Sequence, residues 1–438
     1  MKNLFSSLAS IYRNIKSKIA FYPTLFALSG LLFAFIMLYL EERGISGYLV
    51  ENIPILVVNN GDTALTILSA CITGLISMMV FSFSMVMVLL NQASTNFSPR
   101  LLPGLISDHK HQIILGIYLS SILFCIFILF SIQPTGDQYQ IPGFSVLVGI
   151  LATVICICAF IYFIHTISQS IQITFILDKI YLTAKDRLKI LLERESEQST
   201  EFPDTSTWKE YYTETSGYFR DISRDPLLNF CKDHKTRIEI LPVRGMFALQ
   251  GIPLFRSEKN LSKDELKGIL RYFHFAREEL VSNNYVLAFK QIAEVIAKAM
   301  SPGINDPGTA LNAIDYLTEL LRMRMLKSDV SYISSEGKTY ACERAVNFEE
   351  LLYNLLASLR TYCKHDIVVV QKLGKMFSYL QEQQANESSY YNVLDREAKR
   401  LLQDAQQSID NKADQDVIDR MAKELKIDLS QDSNKKLL

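Results

Sequence analysis

Six small polar residues recur along one apolar segment of the chain, and they are the first candidates for a chemical role. They are spaced by three, four, four, seven and seven positions, which places them on one face of a helix with 3.6 residues per turn. Such a face predicts either the lining of a water-filled path or a small-residue contact with another helix, helped by Gly74. We call these residues the polar stripe: Thr66, Ser69, Thr73, Ser77, Ser84 and Asn91.

A second candidate lies in the C-terminal half, where proline, glycine and short polar residues are grouped. Proline and glycine favour a tight reversal of the chain, and Asn305 and Asp306 can bond nearby backbone amides. The pattern predicts a helix–loop–helix corner in which Asp306 caps a helix that begins at Pro307. The alternative is a ligand or ion site formed by that helix N-terminus with Asn305, Asp306 and Thr309. We call this segment the corner motif: Ser301, Pro302, Gly303, Asn305, Asp306, Pro307 and Thr309.

Two short segments beside apolar runs are candidates for coupling the membrane region to the rest of the chain. Ser98, Pro99 and Arg100 form the first, and the alternative for them is a cap that starts a cytoplasmic helix. His165 and Gln169 form the second, on one helical face. A histidine there can titrate near neutral pH, and the alternative is an interfacial residue with an ordinary hydrogen bond.

Four apolar runs must position these residues, and each is long enough to cross a bilayer. A helix needs roughly 20 apolar residues to span the hydrocarbon core. The runs contain no Asp, Glu, Lys or Arg, so each should insert without help. They cover residues 20–40, 64–90, 113–132 and 144–164.

The basic residues of the short loops predict the orientation. The N-terminal tail carries Lys2, Arg13, Lys16 and Lys18 and no acidic residue, whereas the first loop has only Arg43. Basic residues recur in the second loop and after the fourth run, and the third loop has none. By the positive-inside rule, both termini lie in the cytoplasm and the protein is a multi-pass protein of the inner membrane.

The rest of the chain is richer in charge, and we expect a mostly helical cytoplasmic domain with a small β-rich module. The expected fold class is therefore membrane α-helical, with an α+β C-terminal part. A helix is expected from Ser262 to about Val281, and the apolar positions from Leu394 to Ile409 suggest a helix that either contacts another subunit or lies solvated on the surface. The expected divisions are a tail (1–19), a membrane domain (20–176), a juxtamembrane helix and linker (177–215), the β-rich module (216–256), a helical domain (257–381) and a polar helical tail (382–438).

Several function classes lack support in the sequence. A net charge of −1 gives no signature of nucleic-acid binding. We find no P-loop, dinucleotide-binding glycine motif, zinc-protease motif or serine-hydrolase elbow. The seven cysteines lack zinc-ligand spacing, and His109 with His111 is expected to be a solvent-facing pair rather than a weak metal site. We therefore expect no enzyme activity, no cofactor and no metal.

Three segments carry a resemblance to a known family. They are the run from Asn91 to Leu102, the run from Phe163 to Gln172, and the run from Ala299 to Ala310 that holds the corner motif. Together with the four-span layout, they resemble the bacterial predicted membrane proteins grouped as domain of unknown function 2254. The resemblance extends to about Leu380 and implies the fold and a membrane location, but no activity.

Two functional hypotheses follow from these features. The first is a homo-oligomeric channel or passive transport protein gated by its cytoplasmic domain, because four helices are few for a monomeric pore and an ion-coupled transporter usually has a charged residue at membrane depth. The alternative is a membrane-anchored sensory or scaffolding protein whose cytoplasmic domain binds a ligand or partner. Both have the lipid bilayer as partner, and neither involves nucleic acid.

The orientation gives a direct prediction. A fluorescent reporter fused after Leu438 should be active in cells, and a reporter that works only after export should be silent, because both termini are expected inside. The same pair of reporters fused within the first loop serves as the control with the opposite pattern. Export of the C-terminal fusion would contradict the predicted topology.

Overall fold

The computed structural model of the chain describes residues 20–46, 58, 60–96, 109–135, 138–140, 142–170, 172–195, 202–276, 281 and 284–429. The chain divides into two compact units, Met1–Gln172 and Ile173–Leu438, and each is considered by itself. The first unit holds the apolar runs, and the second unit holds most of the charged residues. The types of residue that are buried and exposed therefore differ between the two units.

Four long helices form the first unit, and all four are apolar and long enough to cross a membrane. The four spans expected from the sequence are confirmed. A short antiparallel hairpin joins the third helix to the fourth. The elements are α1 (Phe21–Glu42), α2 (Gly61–Asn96), α3 (His109–Ser131), β1 (Gln133–Thr135), β2 (Gln138–Gln140) and α4 (Gly143–Ser170).

Helix α3 lies at the centre of this packing, since α1, α2 and α4 all contact it. The closest approach is at Gly30 of α1, where a Cβ atom would stand 2.5 Å from the backbone oxygen of Ser120. Only a residue without a side chain allows the two backbones to come this near. The pair of helices therefore depends on a glycine at this position.

The carboxylate of Glu41 links α1 to α4 at one end of the four-helix unit. Glu41, near the end of α1, accepts hydrogen bonds of 2.8 Å from both the backbone N–H and the hydroxyl of Ser145 in the first turn of α4. Ser46 donates to the same carboxylate and accepts from the backbone N–H of Phe144 at 2.9 Å. An acidic group at a helix N-terminus satisfies free N–H groups and complements the helix dipole.

The second unit combines nine helices with eight short strands among the residues that the structure describes. Its helices are α5 (Ile173–Glu195), α6 (Arg224–His234), α7 (Lys263–Leu270), α8 (Tyr285–Ala299), α9 (Pro307–Met325), α10 (Phe348–Cys363), α11 (Ile367–Gln381), α12 (Ser389–Ser408) and α13 (Lys412–Glu424). Its strands are β3 (Lys209–Tyr212), β4 (Gly217–Ile222), β5 (Ile238–Ile240), β6 (Phe247–Ala248), β7 (Pro253–Ser257), β8 (Phe273–Ala276), β9 (Val330–Ser335) and β10 (Lys338–Arg344).

The strands form two sheets. The larger has the order β3-β7-β5-β10-β9, in which β5 and β10 are parallel and the other pairs antiparallel; the smaller has the order β6-β4-β8. Ala341 pairs with Ile238 and Glu343 with Ile240 across the parallel pair. Alternation then puts Ile238, Ile240, Ala341 and Glu343 on one face. The three apolar residues are fully buried there, so Glu343 ends a row of core positions.

Several helix boundaries agree with the sequence. Ser262 and Glu265 form the expected capping box, Asn284 caps α8, and Asp306 caps α9 with Pro307 in its first turn. Gly245 and Gly251 both adopt positive φ, as expected for turn positions between short strands.

Other expectations are corrected. The helix that begins after Ser262 ends at Leu270, and Phe273–Ala276 is a strand instead of the continuation to Val281. The β-rich region is not confined to residues 216–256, because strands from 209–212, 273–276 and 330–344 belong to the same sheets. The sequence reading missed the β9–β10 hairpin entirely.

The polar tail is also more integrated than expected. Leu394, Ala398, Leu401 and Ala405 of α12 are fully buried, and α12 packs on α10 and α11 of the same chain. This apolar face is therefore part of the core of the second unit and is not available to contact another subunit.

The close approach at Gly30 yields a matched pair of variants. Gly30→Ala should lower the stability of the detergent-solubilised protein by about 1–3 kcal/mol, because the added methyl group overlaps the backbone of α3. Gly74→Ala, where a Cβ meets nothing within 4 Å, should be neutral or slightly stabilising. Thermal unfolding followed by circular dichroism measures both. Equal unfolding temperatures for the two variants would contradict the packing of α1 on α3.

Candidate functional site

The polar stripe lies on the outer surface of the first unit. All six residues are exposed in the single chain, and Gly74 beside them has open space around it. The hydroxyls of Thr66, Thr73, Ser77 and Ser84 donate to carbonyl oxygens four residues earlier, at 2.7–2.9 Å. Within the described part of the chain the stripe therefore does not pack on another helix, and its hydroxyls are compatible with an apolar medium.

The residues expected to couple the membrane region to the rest are only partly described. Ser98, Pro99 and Arg100 lie outside the described residues. His165 and Gln169 are both exposed on α4, and their Nε2 atoms are 3.2 Å apart. They bond each other along one helix face, as residues four positions apart commonly do.

The corner motif is a surface reversal between α8 and α9. Asn305 has a φ of +46°, and both oxygens of the Asp306 carboxylate are engaged, one by the backbone N–H of Thr309 at 3.1 Å and the other by its hydroxyl at 2.6 Å. These bonds lower the pKa of Asp306. The hydroxyl of Ser301 donates to the Lys298 carbonyl at 2.7 Å. The motif satisfies its own polar groups, as expected of a helix–loop–helix corner.

The expected solvent-facing histidine pair is wrong for His111. This side chain is only 6% exposed, and its ring lies 5.5 Å from that of Phe163 in an edge-on arrangement. The side chain of His109 lies outside the description. Across the described ranges, no group of three or more His, Cys, Asp or Glu residues is arranged to hold a metal ion.

A cluster of charges in the second unit surrounds Glu343, and no sequence motif predicts it. Arg244 holds this carboxylate through two nitrogens, with Nη2 3.0 Å from Oε2, and Arg224 donates to the same oxygen at 3.1 Å. Arg244 also contacts Asp221 at 2.8 Å. The Glu343 side chain is only 5% exposed. We call Arg224, Arg244 and Glu343 the arginine clamp.

Burial and charge oppose each other at Glu343. Burial alone raises the pKa of this carboxyl, but the guanidiniums of Arg244 and Arg224 outweigh burial and hold the pKa below its usual range. A buried carboxylate is tolerated only when paired and hydrogen-bonded in this way. Glu343 is therefore ionised at neutral pH.

A cavity opens beside the arginine clamp. It has about 30 Å³ of space, within a wider hollow of about 400 Å³ that is partly open to solvent. Its walls come from six separate stretches of the second unit. The lining residues are Leu191, Arg224, Val243, Arg244, Asn284, Tyr285, Val286, Lys327, Ser331, Glu343, Arg344, Ala345 and Val346.

The remaining charges near the cavity are paired. Lys327 is almost fully buried, and its Nζ donates to Glu195, to the Ser328 carbonyl at 2.8 Å and to the Ser331 hydroxyl at 3.0 Å. Arg344, on the other face of β10, bonds Glu239. Within each of these pairs the two charges cancel. The net charge around the cavity therefore depends on the arginine clamp and its neighbours.

A fully buried arginine organises the wall behind the cavity. The guanidinium of Arg324 donates to Asp329 and to the carbonyls of Lys327 and Val346, and it lies 5.8 Å from the ring centre of Phe348. The hydroxyl of Tyr390 donates to Asp329 at 2.9 Å. These contacts join α9, β9, α10 and α12, so several elements together hold the wall behind the cavity in place.

Comparison with known proteins now gives the family. The family described as predicted membrane protein, domain of unknown function 2254, matches residues 16–379, most of the chain. The chain belongs to this family. Both candidate regions, the polar stripe and the arginine clamp, lie within the matched residues.

The individual relatives are identical to this chain at less than a quarter of the aligned positions. An uncharacterized protein of Mycobacterium tuberculosis is 24% identical over 310 residues, and one of Mycobacterium bovis is 23% identical over 310 residues. Each alignment covers 68% of this chain and 59% of the relative, so the chain spans less than two thirds of their length. No solved structure matches the chain.

Sequence reasoning missed the arginine clamp because its members are dispersed. Arg224 and Arg244 are 119 and 99 residues from Glu343. The one usable signal was the glycine turn at Glu336-Gly337 between alternating residues, which indicates a hairpin. Recognising that hairpin would have placed Glu343 on the same strand face as Ala341.

The arginine clamp predicts a pH-dependent stability. Glu343→Gln should lower the free energy of unfolding by about 3–5 kcal/mol at pH 7, because two buried guanidiniums lose their anionic partner. Because its folded pKa is depressed, the contribution of Glu343 is complete above the unfolded pKa of about 4.3 and is lost as pH falls through the folded pKa.

The measurement is denaturant unfolding at several pH values. The stability of the wild type should fall more steeply on acidification than that of Glu343→Gln. Glu319→Gln is the matched control, since its pair with Arg322 is about one-third exposed and should contribute about 0–1 kcal/mol. A loss for Glu343→Gln no larger than for the control would contradict the arginine clamp.

Proposed function

We propose that this membrane protein forms homo-oligomers in which the polar stripes of several copies surround a path for ions or small solutes. The observation that supports the proposal is that the stripe is exposed and is not covered by any of the helices that the structure describes. Six polar residues in one line facing lipid would be unusual, because polar residues of membrane helices normally face other helices or water.

The spacing of the stripe supports contacts between copies. Ser77, Ser84 and Asn91 recur every seven residues, the repeat at which two helices keep the same faces together over a long distance. Small side chains allow the backbones to approach closely. A ring of copies therefore brings hydroxyls to a common axis, whereas four helices alone enclose no path.

Because the apolar runs contain no formally charged residue, the proposed transport is passive. Residues 64–90, which hold most of the stripe, contain no Asp, Glu, Lys or Arg. A path lined by hydroxyls has no group to carry a proton or to bind a coupling ion at membrane depth. We therefore propose passive movement without a catalysed reaction, in the inner membrane, with both termini and the second unit on the cytoplasmic side.

A second candidate function is a membrane-anchored sensor or scaffold. The observation that favours it is the cavity beside the arginine clamp, which is built from residues far apart in the chain and is partly open to solvent. Small-molecule sites are concave and combine apolar walls with a few convergent polar groups. In a gated channel, the same cavity would be the place where a ligand acts.

Flux through liposomes tests conduction. Purified protein in vesicles should release entrapped ions faster than empty vesicles do, and Ser77→Phe should lower this flux at least several-fold because a bulky ring would fill a path lined by small hydroxyls. Val154→Phe, at an exposed apolar position of α4, is the matched control and should conduct as the wild type does. No flux above empty vesicles for several anions and cations would end the proposal.

A further inference from the structure

The surroundings of the arginine clamp carry more positive than negative charge. Arg187 on α5 lies near Arg224 and Arg244, and near Asp221. The guanidiniums of Arg187, Arg194, Arg224 and Arg244 outnumber the two carboxylates of Glu343 and Asp221 in this region. Burial and the neighbouring arginine charges lower the pKa of Arg187, with Asp221 opposing them. Like charges held this close in a partly dry site favour a bound anion.

Three buried polar atoms in this region have no hydrogen-bond partner among the residues that the structure describes, and two of them belong to residues that line the cavity, Arg224 and Tyr285. The three atoms are Nε of Arg187, Nε of Arg224 and the hydroxyl oxygen of Tyr285. Tyr285 is only 6% exposed, lines the cavity and interacts electrostatically with both Arg244 and Arg324. A buried donor without a partner is costly, so each of these atoms calls for a group to accept its hydrogen.

The carboxylate of Glu343 does not compete for these donors. Its two oxygens already accept from Arg224 and Arg244, and it is held in place by strand β10. Arg244 has five N–H donors; its Nε and Nη2 bond Glu343 and Asp221, which leaves Nη1 available among the residues that the structure describes. An incoming anion would therefore meet donors that the arginine clamp has oriented but not used.

We propose that the cavity beside the arginine clamp binds a phosphate group, held by Arg224, Arg244 and the hydroxyl of Tyr285, with Arg187 adding positive charge outside the cavity wall. Planar guanidiniums and a hydroxyl match the three terminal oxygens of a phosphate, which accept several charge-assisted hydrogen bonds at once. The cavity, about 30 Å³, has space for a group of a few heavy atoms, and the wider hollow accommodates whatever the phosphate is attached to.

This site is independent of conduction by the polar stripe, since all its residues belong to the second unit. The phosphate can be free inorganic phosphate or the end of an organic phosphate monoester. Free phosphate alone would fill the cavity, and a monoester would also use the open hollow. If the natural ligand is a monoester, a probe with an organic part should bind more tightly than inorganic phosphate. If the natural ligand is free phosphate, inorganic phosphate should bind more tightly.

Titration of the full-length protein in detergent tests the proposal. Inorganic phosphate and glycerol 3-phosphate are titrated calorimetrically at constant ionic strength, with chloride as the background anion. Saturable binding of either should appear, with a rise in unfolding temperature as the concentration increases. Tighter binding of glycerol 3-phosphate identifies an organic phosphate as the source, and tighter binding of inorganic phosphate identifies the free ion.

Variants decide whether the binding is at this cavity. Tyr285→Phe and Arg187→Gln should each weaken binding by about tenfold, because the first removes a donor to the anion and the second a nearby positive charge, and neither removes a partner of Glu343. Arg187→Lys should recover part of the affinity. Lys189→Gln removes one positive charge from the same helix at an exposed position and should bind as the wild type does.

Two results would overturn the proposal. One is the absence of saturable binding for both probes. The other is binding that Tyr285→Phe and Arg187→Gln leave unchanged, or that Lys189→Gln weakens equally, since either pattern would mean that surface charge alone attracts the anion. Absence of flux in liposomes has no bearing on these results, so the two proposals fail separately.

Discussion

The lack of water in the bilayer core constrains everything in the first unit. A backbone N–H or carbonyl group that crosses the membrane must be bonded within its own helix, and a charged side chain there has no solvent to stabilise it. The four apolar helices satisfy both conditions. The same constraint explains why the hydroxyls of the polar stripe donate back to their own helix, and why Glu41 lies at a helix end, where it caps α4.

In the second unit, the corresponding constraint is the cost of burying charge. Glu343, Arg324 and Lys327 lie in positions where an unpaired charge would be strongly destabilising. Each is surrounded by several hydrogen-bond partners from separate elements. Because those partners come from α5, α6, α9, β9 and the loop after β5, the ion pairs connect segments that no local interaction would hold together.

The two candidate regions differ in chemistry in a way that follows from their surroundings. The polar stripe offers neutral hydroxyls on an uncovered surface, which suits weak, repeated contacts with other helices or with hydrated solutes. The cavity offers guanidiniums held by a buried carboxylate, which suits one anion in one orientation. The chain thus combines an uncharged polar surface on an apolar helix with a cluster of paired guanidiniums in its second unit.

The sequence by itself determined the four spans, the helix caps at Ser262 and Asp306, and the shared face of the polar stripe. Each of these depends on residues within a few turns of one another, where transfer energy and local hydrogen bonds decide the outcome. Only the tertiary structure decided that the stripe lies uncovered, that α12 packs within its own unit, and that Glu343 meets Arg224 and Arg244. The contacts of Glu343 depend on the parallel pairing of β5 with β10, strands about a hundred residues apart, and periodicity carries no information about such a partner.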